Sequence, residues 1–109
     1  MGRESLGEFE HLVMLAILRL GDDAYGVPIV AEIEDRAERP AARAAVYIAL
    51  RRLEARGLIR SRLAEPTPER GGRAKRYYSV TATGLRQLHE ARQALTRMWE
   101  GLDPVKGRR

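Results

Sequence analysis

The chain has 109 residues, no cysteine and a formal net charge of +5, and 44% of its residues are hydrophobic. This length allows one domain with a modest core, which excludes most multi-domain enzymes, and the lack of cysteine excludes disulfides and thiolate metal sites. The longest apolar run, residues 12–18, is far shorter than the roughly 20 residues of a membrane helix, so we expect a cytoplasmic protein without a membrane partner.

The first third of the chain predicts two amphipathic helices. The first begins with a capping box of Ser5 and Glu8 and ends at Gly21, a residue suited to a left-handed C-cap. The second begins near Tyr25, with Pro28 in its first turn, where a backbone N–H has no helical acceptor. Both helices carry apolar residues at helical spacing, so we expect them to contribute to one core.

A third helix is predicted from about residue 42 to 56, ended by Gly57. Its apolar stripe consists of Val46, Ala49, Leu50 and Leu53. Its opposite face consists of Arg43, Ala44, Tyr47, Ile48, Arg51 and Arg52. An ordinary solvated face is richer in Glu and Lys, so the arginines, the aromatic ring and the isoleucine set this face apart.

After the third helix the apolar period changes from 3.6 to two, which predicts a β-hairpin. One strand covers residues 59–63 and the other 74–80, and Pro and Gly punctuate the segment between them. The tip and the returning strand are basic, with Arg70, Arg73, Lys75 and Arg76.

Basic charge is concentrated in the middle of the chain. Residues 43–76 hold ten basic and three acidic side chains, whereas residues 1–42 hold four basic and nine acidic ones. Such a patch is the electrostatic footprint of phosphate binding. The alternative is a solvated face that is rich in Arg through codon usage. It is weakened because the order of the elements and the outer face of the third helix point to the same function.

Thr81 is predicted to cap a long last helix with apolar positions spaced as in a heptad seam. The seam consists of Leu85, Leu88, Arg92, Leu95, Trp99 and Leu102. Because the first three helices already form a core, we expect the seam to pack against a second copy of the chain. The alternative is that the seam folds back onto its own domain.

Three helices followed by a basic hairpin predict a mainly α fold with a small two-stranded β-hairpin: a winged helix-turn-helix followed by a long C-terminal dimerisation helix. The predicted ranges are 5–80 for the DNA-binding domain, 81–103 for the dimerisation helix and 104–109 for a disordered tail. We expect double-stranded DNA as the partner, with the third helix in the major groove and the hairpin on the backbone. The predicted DNA-binding residues are Arg43, Tyr47, Ile48, Arg51, Arg52, Arg70, Arg73, Lys75 and Arg76.

The sequence resembles the PadR family of transcriptional regulators over about residues 6–102. The resemblance is carried, in this order, by the motifs at residues 24–26, 46–54, 57–58, 66–78 and 80–84. It implies a homodimeric winged-helix repressor that often releases DNA when a small molecule binds, such as a phenolic acid or a hydrophobic drug. It also matches Tyr47 to the family's tyrosine in the reading helix and residues 70–76 to its basic wing.

Several positions depart from the family's pattern. Ala42 stands where relatives commonly have a capping Ser or Thr, so we expect a helix start that is less stable by about 1 kcal/mol. Ile48 replaces a frequent Thr, which makes its base contact apolar, for example to a thymine methyl. Relatives that bind drugs carry a tryptophan at the position of Leu95. Trp99, one turn later, is therefore interpreted as an interface anchor, with a ligand-lining role beside Leu95 as the alternative.

Catalytic and metal-binding patterns are absent from the sequence. Ser5, Ser61 and Ser79 have no obvious base, and His11 and His89 have no Cys partners. We therefore expect no enzymatic activity, no metal and no cofactor. A winged-helix adaptor that binds a protein partner instead of DNA is the alternative from another class, and reversal of the wing charges separates the two.

Overall fold

The computed structural model of the protein describes residues 5–65 and 74–102, in which the elements follow the predicted order. The helices and strands are α1 (Glu8–Leu20), α2 (Gly26–Arg36), α3 (Arg43–Ala55), β1 (Ile59–Leu63), β2 (Arg76–Val80) and α4 (Ala82–Trp99). A 3-10 turn, Gly21–Asp23, connects α1 to α2. The predicted fold class is therefore confirmed. The hairpin tip at 66–73 and the predicted tail at 104–109 lie outside the described residues.

The start of α1 differs from the prediction. Gly7 is the N-cap, and the Glu10 carboxylate accepts a hydrogen bond from the Gly7 N–H at 3.2 Å. Ser5 lies before the helix and Glu8 is its first residue, so the predicted box of Ser5 and Glu8 is wrong. The reason is tertiary, because Arg56 at the C-cap of α3 forms an ion pair with Glu10 at 3.5 Å. This ion pair holds the carboxylate where it can reach back to Gly7.

The other helix ends agree with the sequence. Gly21 ends α1 with a φ of 59°, a conformation that glycine adopts without steric cost. Ala42 is the N-cap of α3 and supplies no side-chain hydrogen bond, as predicted. The Thr81 hydroxyl accepts a hydrogen bond from the Gly84 N–H at 3.0 Å, which confirms the predicted cap of α4.

The core lies between the first three helices and is closed by the hairpin and the start of α4. The predicted stripe of α3 is confirmed, since Val46, Ala49, Leu50 and Leu53 are at most 4% exposed. Burial of this apolar area is the main stabilising contribution to the fold. The other buried hydrophobic residues are Val13, Met14, Ala16, Ile17, Ala24, Ile29, Ile33, Ala41, Leu58, Ile59 and Leu88.

The hairpin is bonded to the helices as well as to itself. The strands β1 and β2 are antiparallel, with Ile59 opposite Val80. The Tyr78 N–H donates a hydrogen bond of 2.8 Å to the Ala24 carbonyl, in the segment before α2. This bond attaches β2 to the start of α2, and it therefore fixes where the hairpin stands relative to the helices.

The last helix packs on the domain along its first turns and extends beyond it. Leu88, which the sequence assigned to the intermolecular seam, is 4% exposed within one copy and packs in the domain's own core. The physical reason is the close approach of Gly84 to the Leu58 carbonyl, which lays the start of α4 on the core. Leu95 and Trp99, further along, are 58% and 53% exposed. Across residues 5–65 and 74–102, no helix combines the length and apolar character needed to cross a membrane.

Replacing Gly84 with alanine is expected to lower the free energy of unfolding by about 1–3 kcal/mol. A Cβ at this position would collide with the Leu58 carbonyl oxygen and would lie 2.9 Å from Cε of Met14. Helix propensity alone favours alanine over glycine by about 1 kcal/mol, so packing and propensity predict opposite signs. Urea denaturation decides between them, with the exposed Thr83→Ala as control. A Gly84→Ala protein more stable than wild type would contradict the close contact.

Candidate nucleic-acid interface

The outer face of α3 is exposed along its length. The buried stripe turns one side of the helix to the core, so the residues predicted to bind DNA lie on the other side. Tyr47 is 40% exposed and Ile48 is 50% exposed. The arginines of this face, Arg43, Arg51 and Arg52, are exposed as well. The structure therefore brings these five predicted residues together on one surface.

The arginines of this face differ from others on the protein in their partners. Three arginines elsewhere form ion pairs at 3.0–3.5 Å, namely Arg36 with Glu32, Arg39 with Glu8 and Arg56 with Glu10. Within the part of the chain that the structure describes, Arg43, Arg51 and Arg52 form no ion pair. Their guanidinium groups are therefore free to donate hydrogen bonds to phosphate oxygens or to guanine.

Tyr47 contacts the helix that precedes α3. Its hydroxyl lies so close to Gly26 that a Cβ there would collide with it. Gly26 is the first residue of α2, so this contact sets the distance between α2 and the outer face of α3. The sequence predicts Tyr47 as a DNA-binding residue. The contact with Gly26 is a bracing contact, and the exposed part of the ring remains accessible.

Two cations and two aromatic rings form a stack that joins the hairpin to the start of α2. The rings of Tyr25 and Tyr77 meet edge to face, with centroids 5.3 Å apart. The Lys75 ammonium lies 4.4 Å from the Tyr25 centroid, and the Arg62 guanidinium lies 5.0 Å from the Tyr77 centroid. Cation–π contacts of this kind restrain long side chains. The sequence predicted Lys75 as part of the basic wing but gave no sign of the contribution of Tyr25 and Arg62.

A chain of hydrogen bonds joins the hairpin to α3. The Ser61 hydroxyl donates to the Glu54 carboxylate at 2.8 Å, and the Arg76 guanidinium donates to the Ser61 hydroxyl at 2.9 Å. Tyr78, opposite Ser61 in the hairpin, is half-buried beside them. This burial raises the pKa of the Tyr78 phenol above its ordinary value, while the positive charge of Arg76 acts in the opposite direction. Arg76 is thus a held side chain, and the predicted Arg70 and Arg73 lie outside the described residues.

A second exposed surface is the apolar groove between α1 and α4, with a volume of about 440 Å³. Its lining residues are His11, Leu15, Leu18, Leu85, Leu88, His89, Arg92, Leu95, Thr96 and Trp99. Sequence reasoning missed Leu15 and Leu18, which are 39% and 45% exposed on α1. The groove brings together His11 and His89, which are distant in sequence, and burial lowers the pKa of His11. No cluster of three or more potential metal-binding side chains occurs in residues 5–65 and 74–102.

These features define a winged helix-turn-helix protein, with an exposed outer face on α3 and a basic hairpin as the wing. A model of the transcriptional regulator PadR-like family matches residues 14–90, and the chain belongs to this family. The family consists of transcriptional regulators and not of enzymes, in agreement with the expectation from the sequence.

Solved structures of PadR-like regulators share the fold. The PadR family regulator from Clostridium difficile R20291 is 26% identical, with a TM-score of 0.67, over 83% of this chain and 90% of that chain. The one from Eggerthella lenta DSM 2243 is 29% identical, with a TM-score of 0.69, over 94% and 88%. Bacillus subtilis PadR, solved in complex with operator DNA, is 20% identical, with a TM-score of 0.67, over 79% and 47%. No curated protein matches the chain.

Proposed function

We propose that this chain is a sequence-specific DNA-binding regulator that acts as a homodimer and represses transcription. The observation that carries the proposal is the outer face of α3, where Arg43, Arg51 and Arg52 are exposed without ion pairs among the described residues. This is the helix that enters the major groove in helix-turn-helix proteins. Bacillus subtilis PadR, a protein of the same fold, has been solved in complex with operator DNA, and this supports the proposal that this protein also binds DNA.

The proposed interface divides into a reader and a clamp. On α3, Arg43, Arg51 and Arg52 donate to guanine or to phosphate, and Ile48 contacts a thymine methyl beside Tyr47. On the wing, Lys75 and Arg76 hold the phosphate backbone, together with the residues of the tip, Arg70 and Arg73. Phosphate contacts fix the register of the protein on the duplex, while base contacts give sequence preference.

The proposed homodimer buries the exposed part of α4 against a second copy. Leu85, Leu95, Trp99 and Leu102 are between 42% and 63% exposed, with Arg92 as the polar interruption. The exposed Leu15 and Leu18 on α1 continue the same apolar surface. Contiguous apolar surface of this kind is typical of a protein interface. In this proposal residues 5–80 bind DNA and residues 81–103 dimerise.

The groove between α1 and α4, which the second copy covers in the proposed dimer, is proposed as the site of a small hydrophobic or planar effector held between the two subunits. Its volume of about 440 Å³ lies in the range of small-molecule sites, and Leu95 and Trp99 line it. If an effector binds the DNA-free dimer more tightly than the DNA-bound dimer, it weakens DNA binding, and the ratio of its two affinities gives the factor. Planar ligands are then expected to quench Trp99 emission and to lower DNA affinity together.

Fluorescence anisotropy with two labelled duplexes tests the proposed function. One duplex carries the DNA upstream of the chain's own gene and the other a shuffled control, and both are titrated across salt concentrations. We expect at least about a thousandfold preference for the first, with a steep salt dependence. Equal weak binding to both duplexes would contradict a specific regulator and would favour the protein-interaction adaptor.

A further inference from the structure

A carboxylate lies inside the most basic region of the fold. Glu54 is the only acidic side chain in α3, β1 and β2, which together carry Arg43, Arg51, Arg52 and further arginines. An acidic group close to bound DNA is repelled by the phosphates and lowers affinity unless it has another role. The hydrogen bonds of Glu54 indicate what that role is.

The Glu54 carboxylate is linked to Arg76 through one hydroxyl. Ser61 on β1 donates to Oε2 of Glu54 at 2.8 Å, and Nη1 of Arg76 on β2 donates to the Ser61 hydroxyl at 2.9 Å. The three residues lie on three different elements, so these two hydrogen bonds connect the proposed reading helix to both strands of the wing. Both hydrogen bonds are exposed to solvent, so they add little to the packing of the core.

We infer that Glu54 is a positioning residue for DNA binding, which acts through Ser61 to hold Arg76 in the orientation that meets the phosphate backbone. The inference rests on the proposed function and assigns a residue to it that sequence reasoning did not select. A guanidinium has five N–H donors, and the bond to Ser61 uses one of them. Arg76 is exposed and its side chain has no other hydrogen bond or ion pair among the described residues, so its other donors are available to phosphate oxygens.

The physical gain is a reduced entropic cost of binding. An arginine side chain on an exposed strand samples many rotamers, and ordering it on DNA has an entropic cost that weakens binding. A side chain that is already held in the free protein avoids most of this cost. The two hydrogen bonds also fix the wing relative to α3, so that the reader and the clamp meet the duplex in one register.

Ser61→Ala tests the inference because it removes the hydroxyl that links Glu54 to Arg76 and changes no charge. We expect about five- to tenfold weaker binding to the specific duplex, and a salt dependence that is shallower by about one phosphate contact. The thermal midpoint is expected to remain that of wild type. The matched control is Ser79→Ala, an exposed serine on β2 whose side chain has no hydrogen bond among the described residues. If Ser61→Ala binds like Ser79→Ala, the inference is wrong.

Two substitutions at Glu54 test the inference independently, through the direction in which they change DNA affinity. Glu54→Ala removes a negative charge, so electrostatics alone predicts tighter binding to every duplex, whereas the inference predicts weaker binding to the specific one. Glu54→Gln keeps an oxygen that accepts from Ser61 and is expected to bind at least as well as wild type. Tighter binding by Glu54→Ala would overturn the inference. Wild-type protein without specific binding would instead overturn the proposed function itself, which keeps the two failures distinct.

Discussion

Replacing Arg51 with glutamate is expected to weaken binding to the specific duplex by about a hundredfold or more, measured by fluorescence anisotropy. Arg51 lies on the exposed face of α3 and forms no ion pair within the described ranges. A guanidinium that is bidentate to guanine contributes about 1–3 kcal/mol of discrimination, and a carboxylate in its place is repelled by the phosphates. The milder Arg51→Ala is expected to relax sequence preference without the added repulsion.

The matched control is Arg86→Glu, which makes the same change in net charge at an exposed position of α4. Its guanidinium has one weak contact, a 3.4 Å hydrogen bond to Thr83 on the same helix. We expect Arg86→Glu to bind the specific duplex within a few-fold of wild type. Equal losses for both variants would mean that only net charge matters, and α3 would no longer be the reader. Circular dichroism checks that both proteins are folded.

The parts of the fold that depend on local spacing could be predicted from the sequence. The stripe of Val46, Ala49, Leu50 and Leu53 follows the helical period, and all four residues are buried. The same period leaves Arg51 and its neighbours outside, so the exposed face of α3 could be predicted together with the core. Thr81 caps α4 through a bond to a residue three positions ahead, which is also a local signal.

The features that sequence reasoning missed depend on contacts between distant residues. Glu10, and not Glu8, completes the cap of α1 because Arg56, 46 residues away, holds its carboxylate. Leu88 follows the heptad spacing of α4 as well as its neighbours do, but the approach of Gly84 to Leu58 places it in the domain's own core. The link from Glu54 to Arg76 likewise requires the hairpin to close, and no spacing along the chain encodes it.

The second large effect is expected at the proposed dimer interface, where Leu95→Glu should weaken self-association by at least about a hundredfold. Leu95 is 58% exposed and lines the groove between α1 and α4. Burying a leucine side chain against a second copy contributes about 1.5–3 kcal/mol, and a carboxylate at the same place must instead be desolvated. Because each copy contributes its own Leu95 to a two-fold interface, the substitution removes two buried leucine side chains from each dimer. Sedimentation equilibrium measures the dissociation constant of the dimer.

Gln93→Glu supplies the control, since it adds the same charge two positions earlier on α4. Two helical residues are separated by about 200° around the axis, so this charge lies on the side opposite to Leu95. We expect it to leave the dimer intact. Trp99, the only tryptophan of the chain, gives a second measurement, because its emission shifts to the blue when a 53% exposed indole becomes buried. A wild-type protein that sediments as a monomer at micromolar concentration, with unchanged Trp99 emission on dilution, would contradict the dimer. If Leu95→Glu and Gln93→Glu dissociate alike, the interface lies on another face.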